Sequence, residues 1–139
     1  MNANTANGGV VVLDSSVFVS IFRGEPHSAH LIERVMSYQR QVMSAATWLE
    51  SAIVCEGAKK KGGGDRFERI VASLGVEIIP VTLTQAQLAL DAFKRFGKGR
   101  GAKASLNYGD CFVYALAKEL AAPLAFTGHD FAQTDLQPA

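Results

Sequence analysis

Residues 9–13, GVVVL, are apolar and β-branched without a polar break, the pattern of a strand buried on both faces of a sheet. The same pattern appears over 76–81, VEIIPV, and 124–127, LAFT, and a shorter strand is expected over 41–45, QVMSA. Between these runs apolar residues recur every three or four positions, the period of a helix with one face in a core. That period covers 17–23, 28–39, 47–60, 65–74, 84–96 and 108–120, with Leu31, Ile32, Val35 and Met36 forming the stripe of the second. The triplet Gly62, Gly63 and Gly64 marks a turn between the third and fourth. Strands alternating with helices predict a central, mostly parallel sheet covered by helices on both faces, a three-layer α/β/α fold. No repeat, low-complexity block or boundary interrupts it, so residues 9–139 read as a single domain and polar residues 1–8 as a disordered lead-in.

Composition narrows the function classes. With 139 residues, 48% of them apolar, the chain can bury a sizeable core, and Lys+Arg 14 against Asp+Glu 13 leaves a net charge of only +1. A nucleic-acid site must therefore be a local patch rather than a general basic character. Cys55 and Cys111 fall inside helical patterns with apolar neighbours, which suits core thiols in a reducing cytoplasm better than a disulfide or metal pair. The N-terminus lacks the order of a signal peptide, and no run nears the roughly 20 apolar residues of a membrane span.

The first strand leads into VVVLDSSVFVSIF, residues 10–22, where Asp14 interrupts an otherwise core-like segment. A desolvated carboxylate there needs a cap, a partner or a metal. Asp130 follows another strand, while Glu50 and Asp110 open apolar helices. Capping accounts for each singly: Thr47 and Glu50, Asn107 and Asp110, Asp130 and Gln133 have capping-box spacing, and Asp14 alone can cap a helix. Capping does not account for their surroundings, since Glu50 is followed at helical spacing by Ile53 and Val54, and Asp110 by Val113 and Tyr114. In a parallel sheet the carboxyl ends of the strands are the ligand-binding edge. Four carboxylates converging there without basic partners repel one another and hold protons unless a cation neutralises them. All-oxygen ligation suits Mg²⁺, with Mn²⁺ as a substitute, rather than zinc. Such an ion activates water and offsets phosphate charge, the chemistry of phosphodiester hydrolysis.

The segments VLDSSVFVSIF, TWLESAIV, LNYGDCFVYALAKEL and FTGHDFAQTDL, in that order, resemble the PIN-domain ribonucleases, and among them the VapC-type toxins of bacterial type II toxin-antitoxin pairs. The resemblance runs from Val10 to Leu136, and LNYGDCFVYALA is its most specific segment. It implies a PIN-like fold and a Mg²⁺-dependent endoribonuclease in which Asp14, Glu50, Asp110 and a fourth acid hold the metal. Ser16, Asn107 and Thr127 are the implied supporting polar groups. It also implies a homodimer and a cognate VapB-type antitoxin that blocks the groove. The chain departs from the family pattern at His129, a position often acidic or amide, and Asp130 is taken as the fourth carboxylate.

The run KRFGKGRGAK, residues 94–103, carries five cations and no acid. Beside an acidic metal site, Lys98, Arg100 and Lys103 would contact RNA phosphates without reading sequence. The run is not a phosphate-binding P-loop, because the spacing fails and it follows a helix. Lys59, Lys60 and Lys61 are expected to balance a helix dipole, His129 to be a water-exposed turn residue, and Trp48 and Tyr108 to pack in the core. The rival function is a non-catalytic α/β module, either a receiver domain or an inactive PIN fold. A receiver would cluster acids near its first strand and carry a lysine after a late strand, and neither feature is present.

Overall fold

The computed structural model describes residues 9–58 and 61–139. The expected lead-in of residues 1–8, and Lys59 and Lys60, lie outside the described residues. Four strands, β1 (Val10–Leu13), β2 (Arg40–Ser44), β3 (Glu77–Ile79) and β4 (Leu124–Ala125), form one sheet in the order β3-β2-β1-β4 with every pairing parallel. The helices are α1 (Ser15–Phe22), α2 (Ser28–Met36), α3 (Ala45–Ala58), α4 (Gly63–Ser73), α5 (Leu83–Phe96) and α6 (Tyr108–Leu120).

Alternation along β1 builds the layers. Val10 and Val12 point to one face, where Val42 and Leu124 join residues of α5 and α6 such as Ala92, Val113 and Leu116. Val11 and Leu13 point to the other, where Met43 meets Phe18 of α1, Val35 of α2, Cys55 of α3 and Phe67 of α4. The expected three-layer α/β/α fold is therefore formed, with both central strands buried on two faces. Cys55 and Cys111 are buried free thiols, as expected. Trp48 packs on Phe67 with ring centroids 5.7 Å apart. None of the described helices is long and apolar enough to cross a membrane.

Several local expectations are corrected. The run 76–81 forms only the three-residue β3, an exposed edge strand rather than one buried on both faces. It has a neighbour on one side alone, and Glu77 instead pairs with Arg40 of β2 at 2.7 Å. Pro80, lacking an N–H, ends it. The expected 124–127 strand is confined to Leu124–Ala125. The helix over 28–39 stops at Met36, and Thr47 caps nothing, because α3 already begins at Ala45 behind the Ser44 hydroxyl, which accepts the Ala46 N–H at 3.2 Å. Residues 130–133 form turns, so Asp130 caps no helix. Tyr108 is 81% exposed rather than packed in the core, its ring edge-on to Phe112.

Candidate metal centre

Chain order and strand order together locate the site. The chain steps outward from β1 to β2 to β3, then returns to the opposite side of β1 as β4. The order reverses between β1 and β4, and in open parallel sheets the crevice beyond that reversal is where ligands bind. Asp14 is the first residue past β1 and its N–H donates to Ala125 O of β4 at 3.0 Å.

Asp14 caps α1: its backbone is extended and its Oδ2 accepts the Ser16 N–H at 3.2 Å. The carboxyl is only 6% exposed, and its buried Oδ1 has no hydrogen-bond partner. Burial pushes its pKa above the ordinary carboxylate range, the Ser16 and Ser15 hydrogen bonds oppose this, and the Glu50 charge adds to the rise. Ser16 has a second task, accepting the Thr127 N–H on its hydroxyl at 2.9 Å and so tying the end of β4 to the start of α1.

Asp110 sits in the first turn of α6. Asn107 and Asp110 form the expected capping box, Asp110 N–H donating to Asn107 Oδ1 at 2.9 Å and Asn107 N–H to Asp110 Oδ2 at 3.0 Å. Asp110 is nonetheless 8% exposed, and its carboxyl is pushed up to about 6. Burial is the largest cause, the Asn107 N–H pulls the other way, and the charges of Asp14, Asp130 and Glu50 raise it further. Glu50, half-buried on α3, lies against Gly109, where a Cβ would overlap its carboxylate. Asp130 is on an exposed turn and reaches Asp110 through its charge.

Asp110 therefore feels the charges of Asp14, Glu50 and Asp130, Asp14 feels that of Glu50, and none of the four forms an ion pair with a Lys, Arg or His among the described residues. The grouping is at Coulombic range: among the described residues no three acidic, histidine or cysteine side chains are set at the spacing of ligands around one ion. The donor set still suits a hard divalent cation. Its groups are all carboxylate oxygens, no cation opposes them, and a buried Asp14 oxygen lacks a partner.

The basic loop starts where α5 ends and closes at a neck, with Lys98 N–H donating to Leu106 O and Leu106 N–H to Phe96 O, both at 2.9 Å. Two residues past that neck α6 begins, so the loop is rooted beside the helix start that carries Asp110. Lys98, Arg100 and Lys103 are exposed, with the Arg100 guanidinium 5.8 Å from the Phe93 ring centre.

Two features escaped the sequence reading. Gly109 gives Glu50 room beside Asp110, and a glycine inside a helix's first turn next to an acid was the available signal. Asp135 accepts from Tyr114 Oη at 2.7 Å, Lys118 Nζ at 3.0 Å and Arg95 Nη2 at 3.4 Å, fastening the segment after Asp130 to α5 and α6. The i, i+4 spacing of Tyr114 and Lys118 hinted at a shared partner but did not name it.

Comparison with known proteins decides the family. A family model described as "PIN domain" matches residues 11–136. The chain belongs to the PIN-domain family. Within it the chain is of the VapC type: it is 40% identical over 126 residues to the Ribonuclease VapC of Mycolicibacterium smegmatis, covering 91% of this chain and 97% of that one. Among solved PIN-domain structures, VapC20 of Mycobacterium tuberculosis, described as a toxin cleaving the sarcin-ricin loop, superposes with a TM-score of 0.74 at 11% identity, covering 93% and 98% of the two chains. A toxin-antitoxin complex from Klebsiella pneumoniae gives 0.67 at 20% identity, covering 90% and 92%.

Proposed function

We propose that this PIN-domain chain is a Mg²⁺-dependent endoribonuclease toxin that hydrolyses RNA phosphodiester bonds. The observation that carries the reading is the buried Asp110 at the strand-order reversal, which feels the charges of Asp14, Glu50 and Asp130 with no cation of the protein's own paired to any of them among the described residues. The name of the mycobacterial relative, Ribonuclease VapC, supports the reaction class.

Asp14, Glu50, Asp110 and Asp130 would hold the cation, which when bound lowers the pKa of water and offsets charge on the scissile phosphate. The chain's own residues do the rest. Asn107 fixes Asp110 through the capping box, and Ser16 and Thr127 keep the Asp14 turn against β4. Asp14 and Asp110, whose carboxyls are held above their usual range, release protons to become ligands, so cation uptake weakens in acid. Lys98, Arg100 and Lys103 contact RNA phosphates on a flank of the site and position the strand.

The partners follow the same reading. A VapB-type antitoxin neutralises the protein by covering this edge, which the likeness to a toxin-antitoxin complex supports. Leu49, Ile53 and Val54 of α3 and Leu90 and Phe93 of α5 are exposed apolar residues around grooves that meet at Tyr108 and Phe112. A second copy covering that face makes a homodimer, whose mass light scattering would measure. Its buried free thiols suit the cytoplasm.

The deciding experiment is cleavage of a defined RNA by the purified protein with Mg²⁺, with chelator, and with Asp14→Asn and Asp110→Asn variants. Cleavage that needs both the metal and the two carboxylates is expected. Cleavage that persists in chelator or in either variant would sink the metal-site reading.

A further inference from the structure

Two buried polar atoms at the site edge have complementary chemistry and no partner: Asp14 Oδ1, an acceptor, and Thr47 Oγ1, which can donate. Thr47 is 2% exposed. An unmade hydrogen bond on a buried hydroxyl is costly, so such an atom calls for a reason.

The topology brings the two residues to the same place. β1 and β2 are parallel with Val12 level with Val42, so two residues further along each strand Asp14 is level with Ser44 at the shared carboxyl end. Thr47 lies three residues beyond Ser44, in the first turn of α3. It heads the buried stripe Thr47, Ser51 and Cys55 of that helix. Cys55 belongs to the core under α1, whose N-cap is Asp14. The side of α3 that carries Thr47 therefore faces α1, and Thr47 is at the end of the stripe nearest the Asp14 turn. Glu50, three residues on, shares the same stretch of helix.

Mid-helix threonines spend their hydroxyl on a carbonyl three or four residues back. For Thr47 those residues are Met43 and Ser44, the end of β2, and that bond is not made.

We propose that Thr47 is a positioning residue of the acidic site: turned by one rotamer, its hydroxyl donates to Asp14 Oδ1 and orients that carboxylate when a divalent cation is held. The assignment rests on reading the acidic edge as a cation site. It gives Thr47 a signature that a packing residue lacks, because its hydroxyl would matter to cation binding and not to the stability of the fold.

The test is calorimetric titration of the purified full chain with Mn²⁺, alongside metal-free melting, for the parent, Thr47→Val and Thr47→Ser. Valine keeps the shape and removes the hydroxyl, so the metal-free Thr47→Val protein is expected to melt at or above the parent's temperature. Its Mn²⁺ affinity is expected to fall roughly 10-fold or more, the usual scale for losing a hydrogen bond to a metal ligand. Thr47→Ser restores the donor and is expected to bind close to the parent. Parent-like Mn²⁺ affinity in Thr47→Val overturns the assignment, and so does a loss that serine fails to recover. A parent that takes up no Mn²⁺ sinks the cation site itself, a result the parent titration gives separately from the variants.

Discussion

Gly109 stands so close to the Glu50 carboxylate that a single methyl group at its Cα would occupy the space of that carboxylate. Exchanging glycine for alanine inside a helix ordinarily adds about 0.5–1 kcal/mol of stability. Here Gly109→Ala must drive Glu50 away from Asp110. The expected variant folds with nearly unchanged melting temperature but loses RNA cleavage and binds Mn²⁺ more weakly. Full activity in Gly109→Ala would mean that the Glu50 position beside Asp110 does not matter to the chemistry.

Asp110 sets a pH dependence whose sign is opposite to that of a salt-bridged acid. Its carboxyl is raised to about 6 from 3.8, so between those values the folded protein holds a proton that the unfolded chain has released. Stability of the metal-free protein therefore falls as pH rises from about 4 to about 6 and is level above that. Removing the charge with Asp110→Asn is expected to stabilise the metal-free protein at pH 7 by about 1–2 kcal/mol after allowance for screening, and to change little near pH 4. The asparagine Oδ1 can still accept the Asn107 N–H. Melting curves of both proteins at pH 4 and pH 7 in chelator decide the point, and a destabilised variant at pH 7 would argue for a purely capping role.

Lys98, Arg100 and Lys103 to alanine should weaken RNA binding with little regard to sequence. Each lost phosphate contact on a single strand changes the slope of log affinity against log salt by roughly 0.7, so three contacts shift it by about 2. Mn²⁺ affinity should stay near the parent value, because screening over roughly 8–10 Å separates these cations from the carboxylates. Binding curves at several salt concentrations measure the slope. An unchanged slope would return the loop to ordinary solvated surface and move the search for the RNA track to Arg23, Lys59 and Lys60.

The Asp135 cluster makes a prediction about the fold alone. Burial raises the Asp135 carboxyl, but hydrogen bonds from Tyr114 and Lys118 outweigh it and hold the group at about 2. Because the folded value is the lower one, this support is present above about pH 4 and is lost as pH falls toward 2. Tyr114→Phe removes the 2.7 Å bond and is expected to cost about 1–2 kcal/mol at pH 7, with a smaller deficit at pH 2. Denaturant melts at the two pH values check this, and an equal deficit at both would assign the loss to packing of the ring.

The legible part of the molecule was the part governed by period and adjacency. Val10 to Leu13 read as a two-faced strand because nothing polar breaks it, and Asn107 and Asp110 read as a capping box because both partners lie within one turn. Asp14 and Asp110 stand where the reading put them, at a strand end and a helix start, whereas Glu50 does not open its helix but lies five residues past the first residue of α3, and Asp130 lies five residues past the end of β4. What the sequence hid was relational. The exposure of β3 depends on its having no outer neighbour, which periodicity along 76–81 does not encode. Tyr108 reads as core from its apolar flanks, yet it lies on the outside of the first turn of α6. Thr47 has capping-box spacing to Glu50, but the Ser44 hydroxyl starts α3 earlier and leaves Thr47 to another role.

The capping box at α6 divides the labour of one carboxylate. Asp110 Oδ2 accepts the Asn107 amide and so helps to close the first helical turn, while the same group answers the charges of Asp14, Asp130 and Glu50. The start of the helix and the Asp110 carboxylate therefore share a mechanical linkage, and fraying of residues 107–110 displaces that carboxylate. Amide exchange at Asn107 and Asp110 becomes a gauge of site occupancy that needs no substrate: those two protons should slow on Mn²⁺ addition while those in the middle of α6 keep their rate.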